Sequence, residues 1–170
     1  MSEELRAKVL SWLVDEGFEV KKMEVPPQAP LDWSMLVTVK VPIQVNIAIQ
    51  KPRESNKVIV SMGVKLSPYH QKAFNSLAEP DRLELRASLV ESLLHLCPDC
   101  IVVPQPPTAT TMEGMLVSRE LPLTMGGEGG LRLEILRTCR VLANAYQLIV
   151  EKLNARLGTG EKPRRDTMVM

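Results

Sequence analysis

From Asp32 to Val64 apolar and polar residues take turns, and this alternation constrains the fold more than any other feature. In Asp32–Lys40, Trp33, Met35, Val37 and Val39 alternate with Asp32, Ser34, Thr38 and Lys40, and Leu36 is the single breach. In Ile43–Gln50 the period is strict: Ile43, Val45, Ile47 and Ile49 fall on one face, Gln44, Asn46, Ala48 and Gln50 on the other. The polar run Lys51-Pro-Arg-Glu-Ser-Asn56 reads as a turn, and Val58, Val60, Met62 and Val64 form a third alternating set. Successive side chains of a strand point to opposite faces, so period two means one buried face and one wet face, as in an antiparallel meander.

Helical patterns flank the meander. Residues 2–16 put Leu5, Val9, Trp12 and Leu13 on one stripe, with Ser2 placed to cap and Gly17 to stop the helix. Phe18–Val25 reads as extended, and Pro26, Pro27 and Pro30 mark a loop. Ser67-Pro68 opens a short helix to about Leu77, with Ser as cap and Pro in the first turn. Pro80 opens another over 81–96, whose leucines cover more than one side, so it needs a cover on two sides. Residues 100–103 and 112–121 read as two further strands. Residues 131–157 read as one long helix, with a seam at Ile135, Cys139, Leu142, Tyr146, Ile149 and Leu153. The expected architecture is α+β: helix, antiparallel meander, two helices, two short strands and a long C-terminal helix. It forms one domain over 1–157, followed by a disordered basic tail over 158–170.

Composition removes several function classes. Hydrophobic residues make up 45% of the 170, enough for a core, so global disorder is excluded. A net charge of +1 and 4% aromatics argue against a nucleic-acid surface, even with Arg132, Arg137, Arg140 and the tail cations Lys162, Arg164 and Arg165. The start of the chain has no basic, apolar, small-residue signal pattern, and no run approaches the roughly 18 apolar residues of a membrane helix. A cytoplasmic location and no membrane partner are therefore expected.

The chemistry-bearing motifs are few. Cys97-Pro-Asp-Cys100, with His95 beside it, has metal-like spacing, but a zinc site needs four ligands and no second close pair exists. A redox pair needs a thiol stabilised as thiolate, whereas this pair follows a helix C-terminus, where the dipole disfavours that anion. A plain helix-to-strand turn is favoured; a local disulfide and a small metal- or thiol-dependent enzyme are the alternatives. Gly126-Gly-Glu-Gly-Gly130 fits no phosphate-binding pattern, and Glu128 would repel phosphate, so it reads as a flexible linker. His70 and His95 occur without a GxSxG or HExxH context, and each reads as structural. No catalytic residue, metal or cofactor is expected.

The segments WLVDEGFEV, VPIQVNIAIQKP, MGVKLSPYHQKAF and LRTCRVLANAYQLIVEKL resemble those of an uncharacterised, mainly archaeal family classed as a domain of unknown function. The resemblance spans about residues 3–157, and Ser67-Pro68 with His70-Gln71 is its most distinctive local piece. That family is similar in fold to type III secretion chaperones and to the bacterial sensory-transduction-regulator family. It has no established activity, so the resemblance implies no catalytic residue. It does imply a non-enzymatic protein-binding or chaperone-like module that pairs two copies, and a homodimer is expected. Leu85, Leu89, Leu93 and Leu96 are the candidate interface residues on the two-sided helix.

Overall fold

The computed structural model describes residues 1–40, 43–108 and 110–160. The element order is α1 (Ser2–Asp15), β1 (Glu19–Met23), β2 (Leu31–Val39), β3 (Val45–Pro52), β4 (Lys57–Lys65), α2 (Pro68–Asn75), α3 (Glu79–Leu96), β5 (Ile101–Gln105), β6 (Gly114–Pro122) and α4 (Gly127–Leu157). All six strands form one antiparallel sheet in the order β1-β2-β3-β4-β6-β5. The expected meander is its centre. The extended segment after α1 becomes an edge strand, and the β5–β6 pair joins through the register Val58–Leu121 to Val64–Met115.

Alternation decides which face each residue takes. Trp33, Met35 and Val37 of β2, Val45, Ile47 and Ile49 of β3, and Val58, Val60 and Met62 of β4 are all buried under the helices. The long helix α4 crosses β2, β3, β4 and β6, while α1 covers the β1–β2 end and α3 lies along β5 against α4. The α4 seam is in this core, with Ile135, Cys139, Leu142, Ile149 and Leu153 buried and Tyr146 half-buried. Gly17 has φ +83° and ends α1 in the left-handed conformation, with Phe18 N–H donating to the Leu13 carbonyl.

Four local expectations are corrected. Ser2 does not cap α1: it lies inside the first turn, and its hydroxyl donates to Asp32 Oδ2 at 3.1 Å. Ile43 precedes β3 and is half-buried; the strand starts at Val45. The same strand continues through Lys51, which keeps the inward phase of Ile47 and Ile49 and is therefore buried. The glycine-rich stretch is no linker, because α4 begins at Gly127. Gly126 takes φ +61°, and at Gly130 a Cβ would press on the Met125 carbonyl oxygen, so this tight entry requires glycine. Of the expected tail, residues 161–170 lie outside the described residues. Gly158, Thr159 and Gly160 are described, and Gly160 sits where a Cβ would meet the Tyr69 ring at 2.9 Å.

Candidate interaction surfaces and the fate of the sequence motifs

Leu85, Leu89 and Leu93 are not an interface. They are 7%, 0% and 1% exposed and point into the core, because these positions of α3 meet α4 and β5. Leu96, at the end of the same helix, remains 37% exposed. The second apolar side of α3 is the stripe Leu83, Ala87, Val90 and Leu94, spaced four, three, four. Leu83 is 49% and Leu94 40% exposed. This stripe lines an open groove of about 760 Å³, with Arg86, Glu91 and His95 at its margin. Arg86 spans from the helix to the carbonyls of Pro106 and Pro107 at 3.1 and 2.7 Å and so holds the following loop against α3. The sequence showed that α3 had two apolar sides. Which side met the core depended on where β5 returns, and the local period does not contain that.

The outer face of the sheet is the second surface. Across it run Lys21–Leu36–Ala48–Ser61–Ser118–Ile101, one residue from each strand in register. The neighbouring positions include Gln50, Ile59, Gly63 and Leu116. Among the described residues no helix covers this face, and Ile101 and Leu116 are 50% and 38% exposed.

Cys97 and Cys100 are joined by a disulfide, both buried, with Cα atoms 5.3 Å apart. The plain-turn reading is therefore replaced by the local disulfide: the Cys100 N–H donates to the Cys97 carbonyl at 3.0 Å, and this tight turn brings the thiols together. Both sulfurs are committed to each other, which removes them as thiolates or metal ligands in this state. Cys139 is free and buried, and burial pushes its thiol up to about 12. Asp99 of the turn meets Arg119 of β6 at 3.3 Å. Arg119 also donates to Glu134 Oε2 at 2.6 Å and to Thr138 Oγ1 at 3.1 Å on α4.

The Ser-Pro-Tyr-His-Gln segment is a latch. The Ser67 hydroxyl caps α2 by accepting from the His70 N–H at 3.2 Å and lies 3.0 Å from His70 Nδ1. His70 Nε2 faces two acceptors, Asn154 Oδ1 and the Gly158 carbonyl, each at 3.0 Å. Nε2 thus carries the proton, and Nδ1 accepts from Ser67. Tyr69 donates to the Leu157 carbonyl at 2.8 Å and Gln71 to the Leu66 carbonyl at 2.9 Å. The His70 and Tyr69 contacts tie α2 to the C-terminal end of α4, in line with the structural reading of His70, while the Ser67 and Gln71 bonds brace the start of α2 itself. His95 rests on its own helix, with Nδ1 2.9 Å from the Glu91 carbonyl.

One group went unread in the sequence. Lys51 hides as the last inward position of β3, where its ammonium meets Asp32 at 3.3 Å and the Pro52 carbonyl at 2.8 Å. It lines a cleft of about 740 Å³ among α1, the β3–β4 hairpin and the start of α4. The charges in this cleft largely close on each other. Lys8 bridges Glu4 at 3.0 Å and Glu128 at 3.2 Å, which holds the Glu4 carboxyl below and the Lys8 ammonium above their usual ranges. The signal for Lys51 was the unbroken period, continued one residue past the point where the chain turns polar.

Residues 5–153 match the family described as an uncharacterized conserved protein, DUF2299. The chain belongs to that family. This agrees with the resemblance carried by the latch and the meander. An uncharacterised protein from Methanothermobacter thermautotrophicus, known from its crystal structure, superposes on this DUF2299 chain with a TM-score of 0.74 at 20% identity. The match covers 93% of this chain and 100% of that one. The likeness shows the same α+β fold. No curated protein matches the chain. Among the described residues no helix is long and apolar enough to cross a membrane, and no group of three or more His, Cys, Asp or Glu side chains is placed to hold a metal ion.

Proposed function

We propose that this DUF2299 protein is a non-enzymatic, chaperone-like protein-binding module that acts as a homodimer. The observation that carries the reading is the outer stripe of α3. Leu83, Ala87, Val90 and Leu94 repeat at the spacing with which one helix seats another, on a helix fixed in place by Leu85, Leu89 and Leu93 beneath. Ala87 sits among larger neighbours and makes a shallow seat for a partner's side chain. The proposed ligand is an apolar helical segment of another protein.

The alternative, an enzyme using Cys97 and Cys100, is disfavoured by their disulfide and by their burial.

The binding reading is tested with reduced, unfolded lysozyme as the client. The protein is expected to slow the rise of turbidity as the client aggregates, and Leu83→Glu with Leu94→Glu is expected to abolish the effect. Both residues are already exposed, so the double variant should keep its fold. No slowing by the parent at tenfold excess would contradict the reading.

A further inference from the structure

Gly63 has no internal reason to be glycine. It lies within β4, two residues before the strand's end, and its φ is not positive. A Cβ built on it meets nothing within 4 Å. Gly114, its near neighbour across the β4–β6 ladder, is the opposite case, because a Cβ there would collide with the Val64 carbonyl oxygen. A glycine inside a strand weakens it relative to alanine and often marks a place where another backbone comes close. Gly63 faces away from the helices, opposite Leu116. We infer that the outer face of the sheet is the contact between two copies of this chain, packed sheet on sheet across the Ala48–Ser61–Ser118 row, with Gly63 beside it.

This assignment rests on the homodimer reading above, and charge and size support a second copy as the occupant. An isologous contact sets a face against itself, so uncompensated charge at its centre would be repelled. Here the central positions Ala48, Ser61, Gly63 and Ser118 are small and uncharged. At the perimeter Lys40 meets Glu19 at 2.6 Å and Lys57 meets Glu120 at 2.6 Å. Lys21 and Lys65 stand at a sheet edge and a strand end, where water reaches them. An uncharged centre inside a charged rim is the anatomy of a specific interface. Five inter-strand steps of about 4.8 Å, by strands that average about 25 Å because β1 and β5 have only five residues each, give a face of roughly 600 Å². A standard-size interface buries about 800 Å² on each partner. Flat sheets pack at about 10 Å, and small side chains at the centre allow that approach. The helices lie on the far side, so this contact leaves the α3 stripes of both copies open.

The test is mass by light scattering at micromolar concentration for four proteins: the parent, Gly63→Lys, Ser61→Lys and Leu94→Glu. The parent is expected at about twice 19.0 kDa, Gly63→Lys and Ser61→Lys near 19.0 kDa, and Leu94→Glu at the parent value. Circular dichroism establishes that each variant is folded, and Ser61→Lys decides the matter if Gly63→Lys is not. A monomeric parent would overturn the homodimer itself. A dimeric parent whose folded sheet-face variants remain dimeric would overturn only the choice of face. Loss of the dimer in Leu94→Glu alone would move the contact to α3.

Discussion

The two faces of the sheet are built from the same strands in alternation, yet they are composed differently. The inner face carries Trp33, Met35, Ile47, Ile49 and Met62, each at most 1% exposed, locked against α4 and α1. The outer face carries Ala48, Ser61, Gly63 and Ser118 at positions interleaved with these. Large apolar side chains fill the inner face throughout, whereas on the outer face these small residues stand among scattered larger ones, Leu36, Ile59 and Leu116. A face turned permanently to water is normally built from long polar or charged side chains. A level, uncharged centre suits a solid neighbour instead. The contrast teaches that hydrophobicity alone misses the outer surface: its signal is small size and missing charge.

The largest expected effect is on the inner face. Ile47→Ala removes buried carbons from a site that cannot collapse and should cost about 2–5 kcal/mol, read from urea unfolding. Gln44→Ala, at an exposed position just before β3, should stay within about 0.5 kcal/mol. Equal losses would break the distinction between the faces. Next comes the polar fastening of α4 to β6. Glu134→Gln removes the carboxylate from Arg119, where both side chains are mostly buried, and should cost about 1–3 kcal/mol. No loss would mean that α4 is held by its apolar seam alone.

The inner face also makes a chemical prediction. Cys139 keeps its proton in the folded state, so folding is favoured while the thiol is neutral in both states. This contribution is fully present below the ordinary thiol pKa near 9 and is lost as pH rises towards about 12. Urea midpoints between pH 9 and 12 should therefore fall more steeply in the parent than in Cys139→Ala. Without reductant, a thiol reagent should find one reactive sulfur per chain in denaturant and none in the native protein. Three in denaturant would contradict the Cys97–Cys100 disulfide.

The architecture was legible because its strands are half-buried, and half-burial writes itself as period two. The element order, the α4 seam and the inward set Val45, Ile47 and Ile49 all followed from local period. What escaped was set by long-range geometry. Leu85, Leu89 and Leu93 could be assigned to a side only once β5 had placed α3. Lys51 counted as turn because its charge outweighed its phase. The glycine run before Leu131 looked like a linker, because glycine's low helix propensity hid a tight entry that only glycine permits. The disulfide depended on the turn after α3, and the spacing of its cysteines left three readings open.

The central claim, that the outer sheet face joins two copies while α3 stays free, is tested most directly by hydroxyl-radical footprinting of the parent protein. Oxidation would be read residue by residue as concentration rises through the dimerisation range. The account predicts falling oxidation at Leu116 and Ile101, with Leu83 and Leu94 oxidised at an unchanged rate. Protection of Leu83 and Leu94 with none at Leu116 and Ile101 would contradict it.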